Sequence, residues 1–145
     1  MIVVIDTNIL FSACISANEK LLEILFNPTL SIERVSCYYA FAELFKHQPR
    51  IVELSKQPAD KVSRLLHVIM KQIEFFNDNV IDDHHLQEAD RLTSGVDKDD
   101  VTFVALALQK DAWLWTGDKK LTSHLRAMGF QRVIATNDLF DLLKL

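Results

Sequence analysis

The sequence predicts a three-layer α/β/α fold, in which helices cover both faces of a mostly parallel sheet of four to five strands. Short apolar runs alternate with longer segments of helical periodicity along the chain. This alternation is typical of parallel strands joined by right-handed crossovers. The chain contains only 3 Gly and 3 Pro, which are too few for the many turns of an all-β fold. Residues 2–5 are apolar without alternation, as in a strand buried on both faces.

The elements of the N-terminal half follow from apolar spacing and from residues that end helices. Asp6, Thr7 and Asn8 follow the first strand with side chains that suit the start of a helix. Pro58 begins a helix in which apolar residues recur every three or four positions as far as Phe76. The predicted elements are a helix directly after Asp6, a helix over 19–26, a strand over 31–36, a helix over 38–47 that ends near Pro49, a helix over 58–76 and a strand over 79–81.

The elements of the C-terminal half are predicted in the same way. Residues 103–108 are apolar on every side and include small alanines, as suits a helix lying against a sheet. Gly95 and Gly129 end the helices that precede them. The predicted elements are a helix over 83–93, a helix that contains 103–108, a strand over 112–116, a helix over 119–128, a strand over 132–135 and a helix over 138–144.

Chain length and net charge limit the function. A chain of 145 residues is predicted to form a single domain over 1–145, because this is close to the commonest domain size. The formal net charge of −4 counts against a protein that holds nucleic acid through its phosphate backbone alone. It does not count against a nuclease whose carboxylates are neutralised by bound cations.

The cysteines and the apolar segments indicate the cellular location. Cys14 and Cys37 form no CxxC pair and lie among apolar residues, so we expect buried free thiols. The apolar start lacks basic residues and is interrupted by Asp6 and Asn8, unlike a signal peptide. No run approaches the roughly 18 apolar residues that cross a bilayer. We therefore expect a cytoplasmic protein without membrane contact.

Acidic residues follow the predicted strands at one edge of the sheet. Asp6 comes directly after the first strand, and Asp118 closely follows the run from Trp113 to Trp115. Open parallel sheets carry their sites at this edge, where the carboxyl ends of the strands meet. The acids that precede the apolar helix are Asp97, Asp99 and Asp100. Each acid alone is explained equally well as a helix cap, but their placement together predicts one acidic crevice.

Glu43 is the fourth candidate acid. The residues around it, from Ala40 to Phe45, are otherwise all apolar, and an ionised carboxylate is costly to bury unless it is paired or binds a metal. A surface glutamate is the simpler explanation of its position alone. Carboxylates that converge repel one another, so the crevice makes sense only with divalent cations, and oxygen ligands suit Mg²⁺ or Mn²⁺. Such sites hydrolyse phosphodiesters.

Four segments resemble the PIN domain in order and spacing. They are Val4-Ile5-Asp6-Thr7-Asn8-Ile9-Leu10, Ala42-Glu43-Leu44, the segment from Asp100 to Leu108, and Trp115-Thr116-Gly117-Asp118-Lys119-Lys120-Leu121. By this resemblance the catalytic, metal-binding acids are Asp6, Glu43, Asp100 and Asp118. The polar residues that orient them are Thr7, Asn8 and Thr116.

The resemblance also selects among the three neighbouring acids. In the PIN pattern the acid lies three residues before an aromatic residue, which here is Phe103, and this selects Asp100. Helical spacing places Asp100 on the same apolar face as Phe103 and Val104. Asp97 stands beyond the predicted helix start and is expected to cap the helix or support the site. Asp99 is expected to matter least.

The small size and the lack of extra domains resemble the VapC-like toxins of toxin–antitoxin systems. The resemblance implies an endoribonuclease that uses Mg²⁺, with Mn²⁺ able to substitute, and cleaves single-stranded RNA. It also implies a homodimer that is silenced by a small antitoxin protein. Part of the apolar stripe from Val62 to Phe76 is a candidate groove for a partner helix, although such stripes are more often core.

Two other functions remain open. A catalytically silent PIN-fold interaction module would keep the fold without cutting RNA. A haloacid-dehalogenase-like phosphatase would also begin with a strand that ends in Asp6. Its general acid would stand two residues later, where this chain has Asn8, which cannot donate and regain a proton.

Two further groups of residues have more than one interpretation. The basic residues after Asp118 can contact substrate phosphates or form a solvated helix face. They are Lys119, Lys120, Arg126 and Arg132. His84 and His85 are expected to form a solvated helix start rather than a metal site, because adjacent residues on a helix do not face one another.

Overall fold

The computed structural model describes residues 1–145 and contains a five-stranded sheet in the order β3-β2-β1-β4-β5. The strands are β1 (Ile2–Ile5), β2 (Glu33–Cys37), β3 (Glu74–Phe76), β4 (Trp113–Trp115) and β5 (Val133–Ile134). All four pairings are parallel. With helices packed around this sheet, the predicted α/β/α class is confirmed.

Eight α-helices connect and cover the strands. They are α1 (Thr7–Ile15), α2 (Glu19–Phe26), α3 (Tyr39–Ser55), α4 (Ala59–Met70), α5 (Asp83–Leu92), α6 (Val101–Lys110), α7 (Lys119–Ala127) and α8 (Thr136–Leu142). Short 3-10 turns, Asp78–Val80 and Lys98–Asp100, precede α5 and α6. No helix combines the length and the hydropathy that a bilayer-spanning segment needs.

The core surrounds the central strand β1. Val3, Val4 and Ile5 are fully buried, because β2 and β4 pair with β1 on either side and helices cover both faces. α6 contacts β1, β2 and β4, which explains why residues 103–108 are apolar on every side. Cys14 and Cys37 are free and buried, as predicted.

Two predicted helix ends are wrong in the N-terminal half. α3 continues through Pro49 to Ser55. The proline removes one helical hydrogen bond, but the fully buried Ile51 packs against the core and keeps the helix continuous. The predicted helix over 58–76 ends at Met70. Residues 74–76 instead form edge strand β3, which pairs with β2.

The predicted strand over 79–81 is also wrong, since this segment lies in a 3-10 turn. The apolar spacing that suggested one long helix ending at Phe76 belongs to a helix, a turn and a strand that all face the same core. Elsewhere β1 and α2 have the predicted bounds, and the other elements shift by one to a few residues at their ends.

Candidate metal centre

The carboxyl ends of the central strands form one wall of an open crevice of about 300 Å³. β1 leads directly into Asp6, β2 leads into α3, which carries Glu43, and α6 begins beside Asp100. The crevice is lined by Asp6, Thr7, Asn8, Phe11, Glu43, His47, Asp97, Asp99 and Asp100. The structure therefore brings together residues from three separate segments at the predicted edge of the sheet.

Asp6 is the most deeply buried acid of the crevice, with 6% of its surface exposed. Its Oδ2 accepts hydrogen bonds from the Thr116 hydroxyl at 2.7 Å and from the Asn8 amide at 3.1 Å. Burial raises the pKa of Asp6, and the charge of Asp118 adds to this, while the hydrogen bonds oppose it. The carboxylate is thus held in one orientation in a setting that disfavours its charge.

Asn8 and Thr116 connect the ends of β1 and β4. The Asn8 amide donates to the Thr116 hydroxyl at 3.1 Å, and its Oδ1 accepts from the backbone N–H of Gly117 at 3.0 Å. The Thr116 hydroxyl, besides donating to Asp6, accepts from the backbone N–H of Asp118 at 3.1 Å. The polar atoms of both side chains are therefore occupied by hydrogen bonds that hold Asp6 and the chain beside Asp118. The two residues lie next to the acids that they were predicted to orient.

Glu43 faces the crevice from α3, where its Oε1 accepts a hydrogen bond from the Thr7 hydroxyl at 2.7 Å. Burial raises the pKa of Glu43 to about 7, and the charges of neighbouring acids raise it further against the Thr7 hydrogen bond. The predicted apolar surroundings are only partly correct, since Ala42 and Phe45 are exposed on this helix. Glu43 itself is half-buried.

Asp100 occupies the N-cap position of α6, but its carboxylate accepts no hydrogen bond from the protein. Burial raises its pKa to about 7, with contributions from the charges of Asp6, Asp97, Asp118 and Glu43. A carboxylate without donors among like charges lacks any neutralising group in the protein. Of the three neighbouring acids, Asp100 is the one whose oxygens remain free for a ligand.

Asp97 and Asp99 also line the crevice, but both are engaged within the protein. Oδ1 of Asp97 accepts from the backbone N–H of Asp99 at 3.0 Å, which caps the 3-10 turn. Oδ1 of Asp99 accepts from the hydroxyl of Tyr39, and this hydrogen bond raises the pKa of Tyr39. Asp97 therefore has the capping position predicted for it.

Asp118 lies beside the crevice rather than in its lining. Its Oδ1 accepts from the backbone N–H of Leu121 at 3.0 Å and caps α7. Its charge nevertheless raises the pKa of both Asp6 and Asp100. The structure thus places three of the four predicted acids in the crevice and the fourth at its rim.

A second group of metal-ligand side chains lies outside the crevice, at the start of α5. One ligand atom each from Asp82, His84 and His85 lies within 4.8 Å of the others, and the two imidazole rings are 4.0 Å apart. Nδ1 of His85 is buried without a hydrogen-bond partner. The prediction that the adjacent side chains of His84 and His85 do not face one another is therefore wrong.

The donor set of the crevice fits a hard divalent cation. All its charged lining groups are carboxylates, no Lys or Arg lines it, and two of the acids have a pKa raised to about 7 by burial and by one another. The acids are not drawn together as tightly as the α5 group. Mg²⁺ fits such spacing, because it keeps several waters and binds through few carboxylates.

The comparison with protein families decides the classification. The family model described as the PIN domain matches residues 4–133. The chain belongs to the PIN domain family. The match runs from β1 into β5 and includes every residue of the crevice. No curated protein matches the sequence at a significant level.

Solved structures share the fold of this PIN domain. A chain in the crystal structure of VapBC2 from Rickettsia felis, bound to a DNA fragment from its promoter, has a TM-score of 0.73 at 14% identity and covers 93% of this chain and 98% of that one. A chain of VapBC-1 from nontypeable Haemophilus influenzae has a TM-score of 0.66 at 17% identity, covering 94% and 99%. A protein of Pyrobaculum aerophilum has a TM-score of 0.67 at 15% identity, covering 98% and 88%.

Two lining residues of the PIN domain crevice, Phe11 and His47, were missed from the sequence, as was Tyr39, which binds the lining residue Asp99. Tyr39 and His47 stand four residues before and after Glu43 on α3, so all three share one helix face. This spacing was a usable signal. Asp99 was expected to matter least, yet its charge raises the pKa of Glu43. Its hydrogen bond to Tyr39 joins residues 60 positions apart, which no local pattern reveals.

Proposed function

We propose that this PIN domain is a metal-dependent endoribonuclease that cleaves single-stranded RNA. Asp6, Glu43, Asp100 and Asp118 are its metal-binding acids, and Mg²⁺, with Mn²⁺ able to substitute, is the cation. The observation that carries the proposal is the crevice in which Asp6, Glu43 and Asp100 all have a raised pKa because of burial and mutual charge. A bound divalent cation would neutralise these acids, lower the pKa of a water molecule and stabilise charge on a phosphodiester.

The protein's own residues orient the acids for this role. Thr116 and Asn8 hold Asp6 by two hydrogen bonds to the same oxygen. Thr7 holds one oxygen of Glu43 and leaves the other free of side-chain donors. Positioned carboxylates bind a cation without a large loss of side-chain freedom, which favours binding and turnover.

The proposed activity is tested by incubating purified protein with single-stranded RNA in Mg²⁺, in Mn²⁺ and in EDTA. We expect cleavage with either cation and none in EDTA. Asp6→Asn should abolish cleavage while the protein stays folded, since the amide keeps one acceptor oxygen for Thr116. Asp60→Asn is the matched control, because Asp60 lies on the exposed surface of α4 and pairs only with Arg64. Cleavage that survives EDTA would contradict the metal mechanism.

We also propose that the chain is the toxin of a toxin–antitoxin pair and acts in the cytoplasm. The proposal is supported by the shared fold with chains of VapBC structures and by an apolar groove between α3 and α4. The groove is lined by Phe41, Leu44, Phe45, Gln48, Ser63, Leu66 and Met70. Phe45 is 76% exposed there, as suits a residue that packs on a partner helix.

Most of the apolar stripe that suggested a partner surface is core. Val62, Leu66, Ile69 and Ile73 are buried, and Leu65 and Phe76 are half-buried. Leu66 is the member of the stripe that lines the groove. We propose a small antitoxin for the groove and a homodimer for the free toxin. Overexpression of the wild-type chain should arrest growth and overexpression of Asp6→Asn should not. A protein that sediments as a monomer at high concentration would remove the dimer from the proposal.

The alternatives differ in the same assays. A silent interaction module would cut no RNA with any cation. A haloacid-dehalogenase-like phosphatase is disfavoured by the PIN family match and by Asn8. The Asn8 amide is held between Asp6, Thr116 and Gly117 and cannot act as a general acid.

A further inference from the structure

A polar groove runs along one face of α7, next to the crevice. Four residues of α7 recur at i, i+3, i+4 and i+7 and therefore share one helix face. They are Lys119, Thr122, Ser123 and Arg126. Together with Thr116, Gly117, Ala135 and Asp138 they line an open cavity of about 290 Å³.

The groove and the crevice are adjacent and are connected through Thr116 and Gly117. Thr116 lines the groove, while its hydroxyl donates to Asp6 inside the crevice at 2.7 Å. Gly117 also lines the groove and donates its N–H to Asn8, a crevice residue. Lys119 directly follows Asp118 in the chain. A chain molecule that leaves the crevice over Thr116 and Gly117 therefore enters the groove.

Neither cation of the groove has an acidic partner within salt-bridge distance. Arg126 differs in this from most arginines of the protein, whereas Lys119 resembles the other lysines, none of which is paired. The paired arginines are Arg50, Arg64, Arg91 and Arg132, each within 4.0 Å of a carboxylate. Arg126 donates only to the carbonyl of Val133 at 3.2 Å. Neither Lys119 nor Arg126 pairs with Asp138, the one acid in the groove lining. Their charges remain available to an anion from outside.

The structure separates these two residues from the other basic candidates. Arg132 precedes β5 and binds Asp111, which precedes β4, so this pair lies at the opposite edge of the sheet. Lys120 does not line the groove. The hydroxyl of Ser123 makes no hydrogen bond within the protein, so it can also donate to an anion. The hydroxyl of Thr122 already donates to the carbonyl of Asp118 at 2.9 Å.

The spacing of the cations suits an extended polyanion. Positions 119 and 126 are separated by about 10 Å along the helix axis. Arg126 lines the same cavity as Thr116 and Gly117, which border the crevice. Carboxylates in the crevice repel phosphates, so RNA needs cations beside the site to compensate. Grooves with basic residues follow single-stranded backbones in this way.

We propose that this groove binds the phosphodiester backbone of single-stranded RNA beside the crevice. Lys119 and Arg126 contact the phosphates and Ser123 donates a hydrogen bond between them. The inference rests on the proposed ribonuclease function and assigns the path of the strand outside the acids.

The test measures binding of a short unstructured RNA to the full chain over a range of KCl concentrations, by fluorescence anisotropy. Asp6→Asn is the background, so that the RNA stays intact at a fixed Mg²⁺ concentration. Each phosphate contact contributes about 0.7 to the slope of log K against log salt for single strands. Lys119→Gln with Arg126→Gln should therefore weaken binding and reduce the slope by about 1.4. Lys119→Arg with Arg126→Lys should keep the slope.

The matched control is Lys61→Gln with Lys71→Gln, which removes the same charge from exposed positions of α4 and its C-cap. It should leave the slope unchanged. If the groove variant and this control have equal affinity and slope, the groove does not bind RNA. That result leaves RNA cleavage by the wild-type protein untouched, whereas a wild-type protein that binds RNA through the groove but never cuts it would overturn the proposed function.

Discussion

The acidic crevice and the group at the start of α5 both gather metal-ligand side chains, but their surroundings differ. The α5 group has its ligand atoms within 4.8 Å of one another, yet Asp82 and His84 are exposed. The crevice acids are spaced more widely, but Asp6, Glu43 and Asp100 are desolvated, and no Lys or Arg lines the crevice. Exposed acids are screened by water at little cost, whereas buried like charges create a demand for a cation. Proximity alone is thus a weaker sign of a functional site than uncompensated burial.

The largest expected difference between the two regions is in catalysis. Asp100→Asn should reduce RNA cleavage by about 10²–10³, as removal of one group that stabilises the transition state does elsewhere. The reduction should be smaller for Asp97→Asn, whose oxygen already caps a turn, and smallest for Asp99→Asn, whose oxygen is held by Tyr39. Single-turnover cleavage assays measure this order.

The α5 group provides the control for that order. His84→Gln with His85→Gln should leave cleavage unchanged, because both residues lie outside the crevice. Loss of cleavage in this double variant would mean that the α5 group, and not the crevice, is the catalytic site. If Asp99→Asn were the most damaging of the three aspartate variants, the assignment of Asp100 would be wrong.

An intermediate difference is expected in stabilisation by metal. Mg²⁺ at 100 times its dissociation constant should raise the free energy of unfolding by about 2.7 kcal/mol. Asp118→Asn should raise the melting temperature of the metal-free protein, since the charge of Asp118 raises the pKa of Asp6 and Asp100. The asparagine oxygen can still cap α7. The same variant should reduce the effect of Mg²⁺.

Thermal melts with and without Mg²⁺ measure both effects. His85→Gln is the control and should respond to Mg²⁺ as the wild type does, because imidazole is a poor ligand for this cation. A wild-type melting curve that is indifferent to millimolar Mg²⁺ and Mn²⁺ would mean that the crevice binds neither.

The smallest expected effect is the pH dependence of the metal-free protein. The pKa values of Glu43 and Asp100 rise from 4.5 and 3.8 to about 7 on folding. Between these values the folded state holds more protons than the unfolded state, so the free energy of unfolding falls as the pH rises from about 4 to 7. Because both groups remain partly open to water, we expect a loss on the order of 1–2 kcal/mol.

Urea titrations in EDTA at several pH values measure this loss. Asp100→Asn should show a smaller loss than the wild type, and Asp60→Asn should show the same loss. Stability that rises over this pH range in the wild type would indicate that the crevice acids are compensated within the protein, as in an ordinary surface cluster.

Much of the crevice was predictable because its residues lie at points where the chain changes element. A buried β-branched strand must end at a polar residue, and in a parallel sheet these ends meet at one edge. Asp6 and Asp118 were placed by this rule, and Thr7, Asn8 and Thr116 by resemblance to the PIN pattern. The α/β class followed from the alternation of short apolar runs with segments of helical periodicity. The runs indicate strands buried on both faces, and the periodic segments indicate helices buried on one face.

Tertiary packing decided what local patterns leave open. The apolar spacing from Val62 to Phe76 suits a helix throughout, but residues 74–76 form a strand because they pair with the otherwise unpaired edge of β2. Pro49 ends a helix in isolation, whereas the buried Ile51 keeps α3 continuous. The bond between Tyr39 and Asp99 and the pairing of Arg132 away from the crevice depend on contacts between distant segments. Sequence alone records which side chains can be buried or charged, and only the folded chain determines which of them meet, because that depends on the packing of the sheet and its helices.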